Sequence, residues 1–309
     1  MPPRFLSKDY TTFQYYEYRG LDEFLREKLI HEFHIHEEDI EDVFSPTQLS
    51  KFETRKTYLY FALQFPSIRP DNHRIQTQQI HAFVSKKFLF VIDEDGFSAL
   101  KDFYLTRNKL VTREQYNSFD LFYELLDISV VSMFQLLDSV HFRVREVEET
   151  LFSEEPHESD HVSEIQDIKK AIINFKFILS PLYELLDDIL RKNITLIDEV
   201  SREALDDSLD KIKKLNNRLD NFRETMKLLT ETNEMLIARS TNDNIRRLTL
   251  INVLLLGPSA IGAFFGMNVH FGWMTVSETQ NLLPVTVVIV LMIVSTVGMF
   301  QFFRYKKWI

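Results

Sequence analysis

The chain contains no cysteine. Disulfides, cysteine-ligated zinc modules and thiol catalysis are therefore excluded, while the compartment stays open. Glycine is scarce as well, with seven in 309 residues, which suits a helix-rich chain. The N-terminal part has no Gly-rich phosphate loop and no Ser-x-Gly elbow, so nothing there asks for an enzyme. Clustered cations are also missing. The net charge of −10 argues against nucleic acid as a partner, because phosphate binding needs massed Lys and Arg. It suits a protein that draws cations. Met1 to Asp9 lacks the apolar core of a signal peptide, so the first ~240 residues are expected to stay in the cytoplasm.

Residues 1–115 read as a mixed α/β domain. Phe13–Tyr18 and Thr57–Phe65 are aromatic-rich runs bounded by breakers, as strands are. Arg74–Val84 and Lys87–Ile92 predict a strand pair joined at Ser85-Lys86, and the apolar spacing over Leu21–Phe33 predicts a helix. His31, Glu32, His34 and His36 with Glu37, Glu38 and Asp39 form a tempting cluster. The metalloprotease pattern, however, needs His-Glu-x-x-His on a helix, and His-Glu-x-His puts its histidines on different faces. A solvated acidic helix start with His36 in a turn explains it better.

Residues 116–247 change to long helices. Tyr116–Phe152 and Asp160–Arg191 are amphipathic and separated by Pro156, and the acids from Glu146 to Glu164 around it form either a solvated hairpin tip or a cation-concentrating surface. After Ile194 no glycine occurs until Gly257 and no proline until Pro258. Leu205, Leu209, Ile212, Leu215, Leu219, Phe222, Met226 and Leu229 share one face, which is a bundle seam.

Residues 248–309 carry two uncharged stretches, about 248–267 and 282–303, each of about the length that crosses a hydrocarbon core of about 30 Å. Arg246 and Arg247 precede the first, Arg304, Lys306 and Lys307 follow the second, and the loop between them, 269–281, has neither Lys nor Arg. Cationic flanks stay inside, so both termini are expected in the cytoplasm and the loop outside. Along the first span Asn242, Ile245, Thr249, Asn252, Leu256, Ser259, Ala263 and Gly266 recur at spacings of 3 and 4. Such a polar and small stripe wants a partner helix or a watery lumen. Pro258 interrupts this span, and Gly257 is read as relief of the crowding that the proline causes.

Gly266-Met267-Asn268 closes this first span, one further span follows, and the chain ends in basic-aromatic Tyr305-Lys306-Lys307-Trp308-Ile309. Upstream lie Phe33-His34-Ile35-His36, Glu41-Asp42-Val43 and Lys51-Phe52-Glu53. In these features, over nearly its whole length, the chain resembles the CorA family of divalent-cation channels. The resemblance implies an α+β cytoplasmic domain, a long helical stalk and two C-terminal transmembrane helices in a funnel-shaped homo-pentamer of the cell (inner or plasma) membrane. Two spans cannot enclose water, so a pore needs several copies.

Mg2+ is the implied cargo, with Co2+ or Ni2+ as further ones, and no organic cofactor is expected. Gly266, Met267 and Asn268 would form the selectivity filter, whose amide and carbonyl oxygens hold the ion by its water shell, since Mg2+ sheds water reluctantly. The row from Asn242 to Ala263 would line the pore, and Ile245, Leu248 and Leu256 would form apolar collars that gate by dewetting. The resemblance also implies regulatory Mg2+ held between subunits by Glu231 and the strand-end acids Asp93, Glu94 and Asp95. The outer loop carries a single acid, Glu278, and His270 beside the motif favours the runner-up, a Zn2+ transporter of ZntB type. A membrane-anchored coiled-coil scaffold or sensor is the other reading, although a scaffold has no need for the polar stripe.

Overall fold

The computed structural model describes residues 5–45, 49–68, 75–94, 117–152, 162–192, 194, 197–267 and 283–306. They divide into two compact units, Met1–Glu231 and Thr232–Ile309.

The first unit is built on a six-stranded sheet. Its strands are β1 (Phe5–Asp9), β2 (Gln14–Arg19), β3 (Lys51–Thr54), β4 (Leu59–Ile68), β5 (Ile75–Val84) and β6 (Phe88–Asp93), in the order β1-β2-β6-β5-β4-β3. All neighbours are antiparallel except β2 and β6, which run parallel with Tyr16 opposite Phe90. The predicted hairpin is β5–β6, and its turn is closed by Ser85, whose Oγ accepts from the Lys87 and Phe88 amides. The short edge strands β1 and β3 carry too few apolar residues to read as strands in isolation. They form because they pair with β2 and β4.

Side chains alternate across the sheet. On one face Tyr18, Tyr60, Phe83, Phe90 and Ile92 pack with Leu25 and Leu29 of α1 (Glu23–His31) and Ile40 and Val43 of α2 (Glu37–Phe44). On the other, Tyr15, Phe61, Leu63, Val84 and Val91 join one apolar cluster with α3 (Ser118–Phe152), α4 (Val162–Arg191) and the first half of α5 (Glu199–Gly266). The α/β part and the long helices thus share a core up to Glu231. The seam from Leu205 to Leu229 is buried throughout, apart from Phe222, which is half-buried and meets the His141 ring at a tilt of 59°. Helix α4 runs through Pro181 without a break.

One expectation is corrected here. Glu37 and Glu38 are solvated, but Asp39 is fully buried. It sits in the first turn of α2, where a carboxylate meets the helix dipole. Arg55 forks onto it at 2.6 and 3.0 Å, and the Tyr58 hydroxyl donates to it at 2.6 Å. Asp42 pairs with Lys51 in the same region. These pairs clamp α2 to the β3–β4 hairpin.

His81 on β5 is almost wholly buried, with Nδ1 2.8 Å from the Tyr60 hydroxyl. Burial, aided by Lys51, holds its pKa down to about 3. The unfolded chain takes up this proton below about 6.5, whereas the folded chain refuses it until near the lower value. Stability from this site is therefore complete above about pH 6.5 and falls below it, by up to about 1.4 kcal/mol per pH unit. Thermal unfolding of the detergent-solubilised chain from pH 7 to 4 should show this slope. The His81→Leu variant should be less stable at pH 7 but shallower in its pH dependence by about one proton.

A candidate ion pathway along the last two helices

Helix α5 begins at a proper cap, with the Asp198 carboxylate accepting from the Ser201 amide at 2.8 Å. It then runs unbroken for 68 residues, about 100 Å at helical rise. Its last part and α6 (Leu283–Tyr305) make up the described second unit. Among the described residues three helices are long and apolar enough to cross a membrane: α3, α5 and the stretch Val285–Tyr305 of α6. Helix α3 spends its apolar face on the core of the first unit, with Leu121, Leu125, Met133 and Leu137 all buried. The other two have no such outlet. Among the described residues of the second unit only Asn233, Leu250 and Phe303 are buried, while Leu248, Ile251, Leu255, Phe264, Val285, Ile293 and Val294 are exposed. Apolar surface on that scale needs lipid or further copies of the chain.

The row picked out by spacing lies away from α6. Asn242, Ile245, Thr249, Asn252, Leu256, Ser259, Ala263 and Gly266 are all exposed, and so is Leu248 beside them. The opposite side of α5 meets α6. An ideal Cβ on Gly257 would lie 3.0 Å from Ser295 Oγ and 3.2 Å from Met299 Sδ, and one on Gly262 would lie 3.0 Å from Met292 Cε. Gly257 is therefore not merely relief for Pro258. Its missing side chain is what lets α6 approach.

Two hydroxyls on the row have a fixed orientation that spacing did not reveal. Thr249 Oγ1 donates to the Ile245 carbonyl at 2.8 Å, and Ser259 Oγ donates to the Leu255 carbonyl at 2.7 Å. Each thus spends its only proton on its own helix and retains lone pairs as acceptors. The row from Asn242 to Gly266 carries no carboxylate. Such a surface can accept hydrogen bonds from the water around a cation, and it offers no charge that would strip that water away.

Gly266 and Met267 are exposed at the end of α5. Asn268, His270 and Glu278 lie outside the described residues, as do Asp95 and the acids from Glu154 to Asp160. The two remaining strand-end acids are separated by their surroundings. Asp93 is 1% exposed, paired across the sheet with Arg19 and Ile80, and its carbonyl accepts from the Gly20 amide. Glu94 is exposed. Glu231 is also exposed, with Lys227 Nζ at 4.0 Å one turn back. Within one chain, no group of three His, Asp or Glu side chains able to hold a metal ion occurs among the described residues. The histidines diverge: His31 closes α1, His34 adopts φ 51° and His36 is the α2 cap.

Known proteins share this architecture. The chain is 23% identical over 280 residues to the cobalt/magnesium transport protein CorA of Thermotoga maritima, covering 90% of this chain and 78% of that one. Its fold matches the CorA magnesium transporter of Methanocaldococcus jannaschii with a TM-score of 0.83 at 17% identity, over 98% of this chain and 94% of the other. It also matches the ZntB cytoplasmic domain of Vibrio parahaemolyticus, with a TM-score of 0.64 at 10% identity, over 74% of this chain and 89% of that one. The family described as CorA-like Mg2+ transporter protein matches residues 10–306. The chain belongs to this CorA-like transporter family.

Proposed function

We propose that the protein is a homo-oligomeric channel for hydrated divalent cations, chiefly Mg2+, with Co2+ or Ni2+ as further cargoes. The observation that carries this reading is the exposed, carboxylate-free row on α5, whose hydroxyls present only acceptors. Copies of α5 around an axis turn that row into a lumen, and Gly266-Met267-Asn268 forms its outer filter. Residues 1–115 and 116–247 then lie in the cytoplasm and 248–309 in the cell membrane, with both termini inside. Five copies follow the family likeness. An inside-negative potential drives uptake with about 2.3 kcal/mol per charge per 100 mV.

The test is flux. The purified full chain in liposomes, under an inside-negative potential, should admit Mg2+ and pass Zn2+ at least about tenfold more slowly, since soft, borderline metals favour His or Cys ligands. Zn2+ in preference to Mg2+ would make it a zinc transporter, and no flux of either would make it a scaffold.

Regulation by cytoplasmic Mg2+ belongs to the same reading. Subunits carrying facing acids repel until a divalent ion joins them. Asp93 is enclosed by its own subunit, so the exposed Glu94 and Glu231 are the better pair for an ion between copies. Replacing both with Lys supplies the ion's charge permanently. Protection of the stalk from protease should rise with millimolar Mg2+ in the parent and become independent of Mg2+ in Glu94→Lys/Glu231→Lys. Protection that still rises in the double variant would move the sensor elsewhere, first to the acids around Pro156.

A further inference from the structure

We infer that, of the contacts α6 makes with the pore-lining helix, the seating of Ser295 and Met299 on Gly257 is the one that sets the width of the lumen at Leu256 and Ser259. The inference rests on the channel reading above and assigns it two residues, Gly257 and Ser295, that lie off the exposed row.

Three observations meet at this step. First, a Cβ on Gly257 would stand 3.0 Å from Ser295 Oγ and 3.2 Å from both Met299 Sδ and Cε, closer than carbon atoms ordinarily pack. Second, the next residue is Pro258, which has no N–H for the Leu254 carbonyl, so α5 is held together least firmly where α6 presses on it. Third, the exposed row lies on the other side of the helix, with Leu256 66% exposed and Ser259 exposed. A wedge between α5 and α6 therefore moves Leu256 and Ser259 away from α6, towards the lumen.

The two glycines at the interface differ in what faces them. At Gly262 the close atom among the described residues is Met292 Cε, the end of a flexible thioether that can swing aside. At Gly257 three atoms crowd the site, and the nearest, Ser295 Oγ on its one-carbon stem, can leave only by a change of χ1 rotamer. Gly257→Ala should narrow the lumen, and Gly262→Ala should not.

The chain's lack of cysteine permits a readout that does not depend on ion flux. Ser259→Cys places a single thiol on the row, and its reaction rate with a water-soluble thiol reagent reports the room around it. In assembled full-length protein, Gly257→Ala is expected to lower Mg2+ flux at least fivefold and to slow the reaction at Cys-substituted position 259 by a similar factor. Gly262→Ala should stay within twofold on both measures. Gly257→Ala/Ser295→Ala, which removes the opposing oxygen, should recover at least half of each loss.

If Gly257→Ala does not assemble, Ser295→Ala alone decides. It only deletes an atom, so it should assemble and raise thiol reactivity at position 259. Unchanged or lowered reactivity in Ser295→Ala overturns the inference. Loss in Gly257→Ala that Ser295→Ala fails to repair, or equal loss in Gly262→Ala, overturns it too. Absence of Mg2+ flux in the parent would instead overturn the channel reading, while the thiol measurements still judge the contact.

Discussion

Asn268→Ala is expected to abolish Mg2+ flux while leaving the assembled oligomer intact. A hydrated Mg2+ carries its charge on the hydrogens of its inner waters, and an amide oxygen accepting from them makes a charge-assisted hydrogen bond. Bonds of that kind contribute about 1.5–3 kcal/mol each. Every copy around the axis loses its amide at once, so even two effective contacts exceed ~3 kcal/mol, more than a hundredfold in rate. Alanine cannot replace the oxygen and is small enough to cause no clash. Assembly should survive because the substitution leaves the α5–α6 contacts at Gly257 and Gly262 untouched. Size-exclusion chromatography with light scattering checks the oligomer, and liposome flux checks transport. An assembled variant that conducts like the parent would remove Asn268 from the filter.

Leu256→Asp should have the opposite effect, a leak. Leu256 is 66% exposed in the single chain, on the row that faces the proposed lumen. A ring of leucines at a narrow point keeps water out, and a passage without water is closed to a hydrated ion whatever its diameter. Carboxylates in their place would hold water and attract cations. At cytoplasmic Mg2+ levels that shut the parent, the variant should conduct at least about tenfold faster. Leu255, also exposed but off the row, provides the comparison. Leu255→Asp should impair membrane insertion or assembly without producing a leak. A closed, well-assembled Leu256→Asp channel would count against a dewetting gate.

Several features of this protein were legible in the order of residues alone. The seam from Leu205 to Leu229, the two uncharged stretches with their cationic flanks and the row from Asn242 to Gly266 are periodic or compositional patterns. A helix imposes such patterns locally, whatever surrounds it. The β5–β6 hairpin was legible for the same reason, since its strands are long and its turn is short. The family likeness was visible too, because Gly266-Met267-Asn268 stands between two long uncharged stretches.

Tertiary structure decided what depends on a neighbour distant in sequence. Edge strands β1 and β3 exist through their pairing, and no local pattern announces the parallel contact of β2 with β6. Asp39 and Glu38 are adjacent acids that both reach Arg55, yet Asp39 is buried between Arg55 and Tyr58 while Glu38 meets the guanidinium from the solvent side. Asp93 and Glu94 divide in the same way, since Asp93 is the last paired residue of β6 and Glu94 lies in the bend just past it. Helix α3 has the length and composition of a membrane span, and only the sheet packed on its apolar face makes it a core helix. Gly257 looked like a companion of Pro258 until α6 supplied Ser295 and Met299. Composition says how much apolar surface a helix must hide, and the partner it meets decides whether protein or lipid hides it.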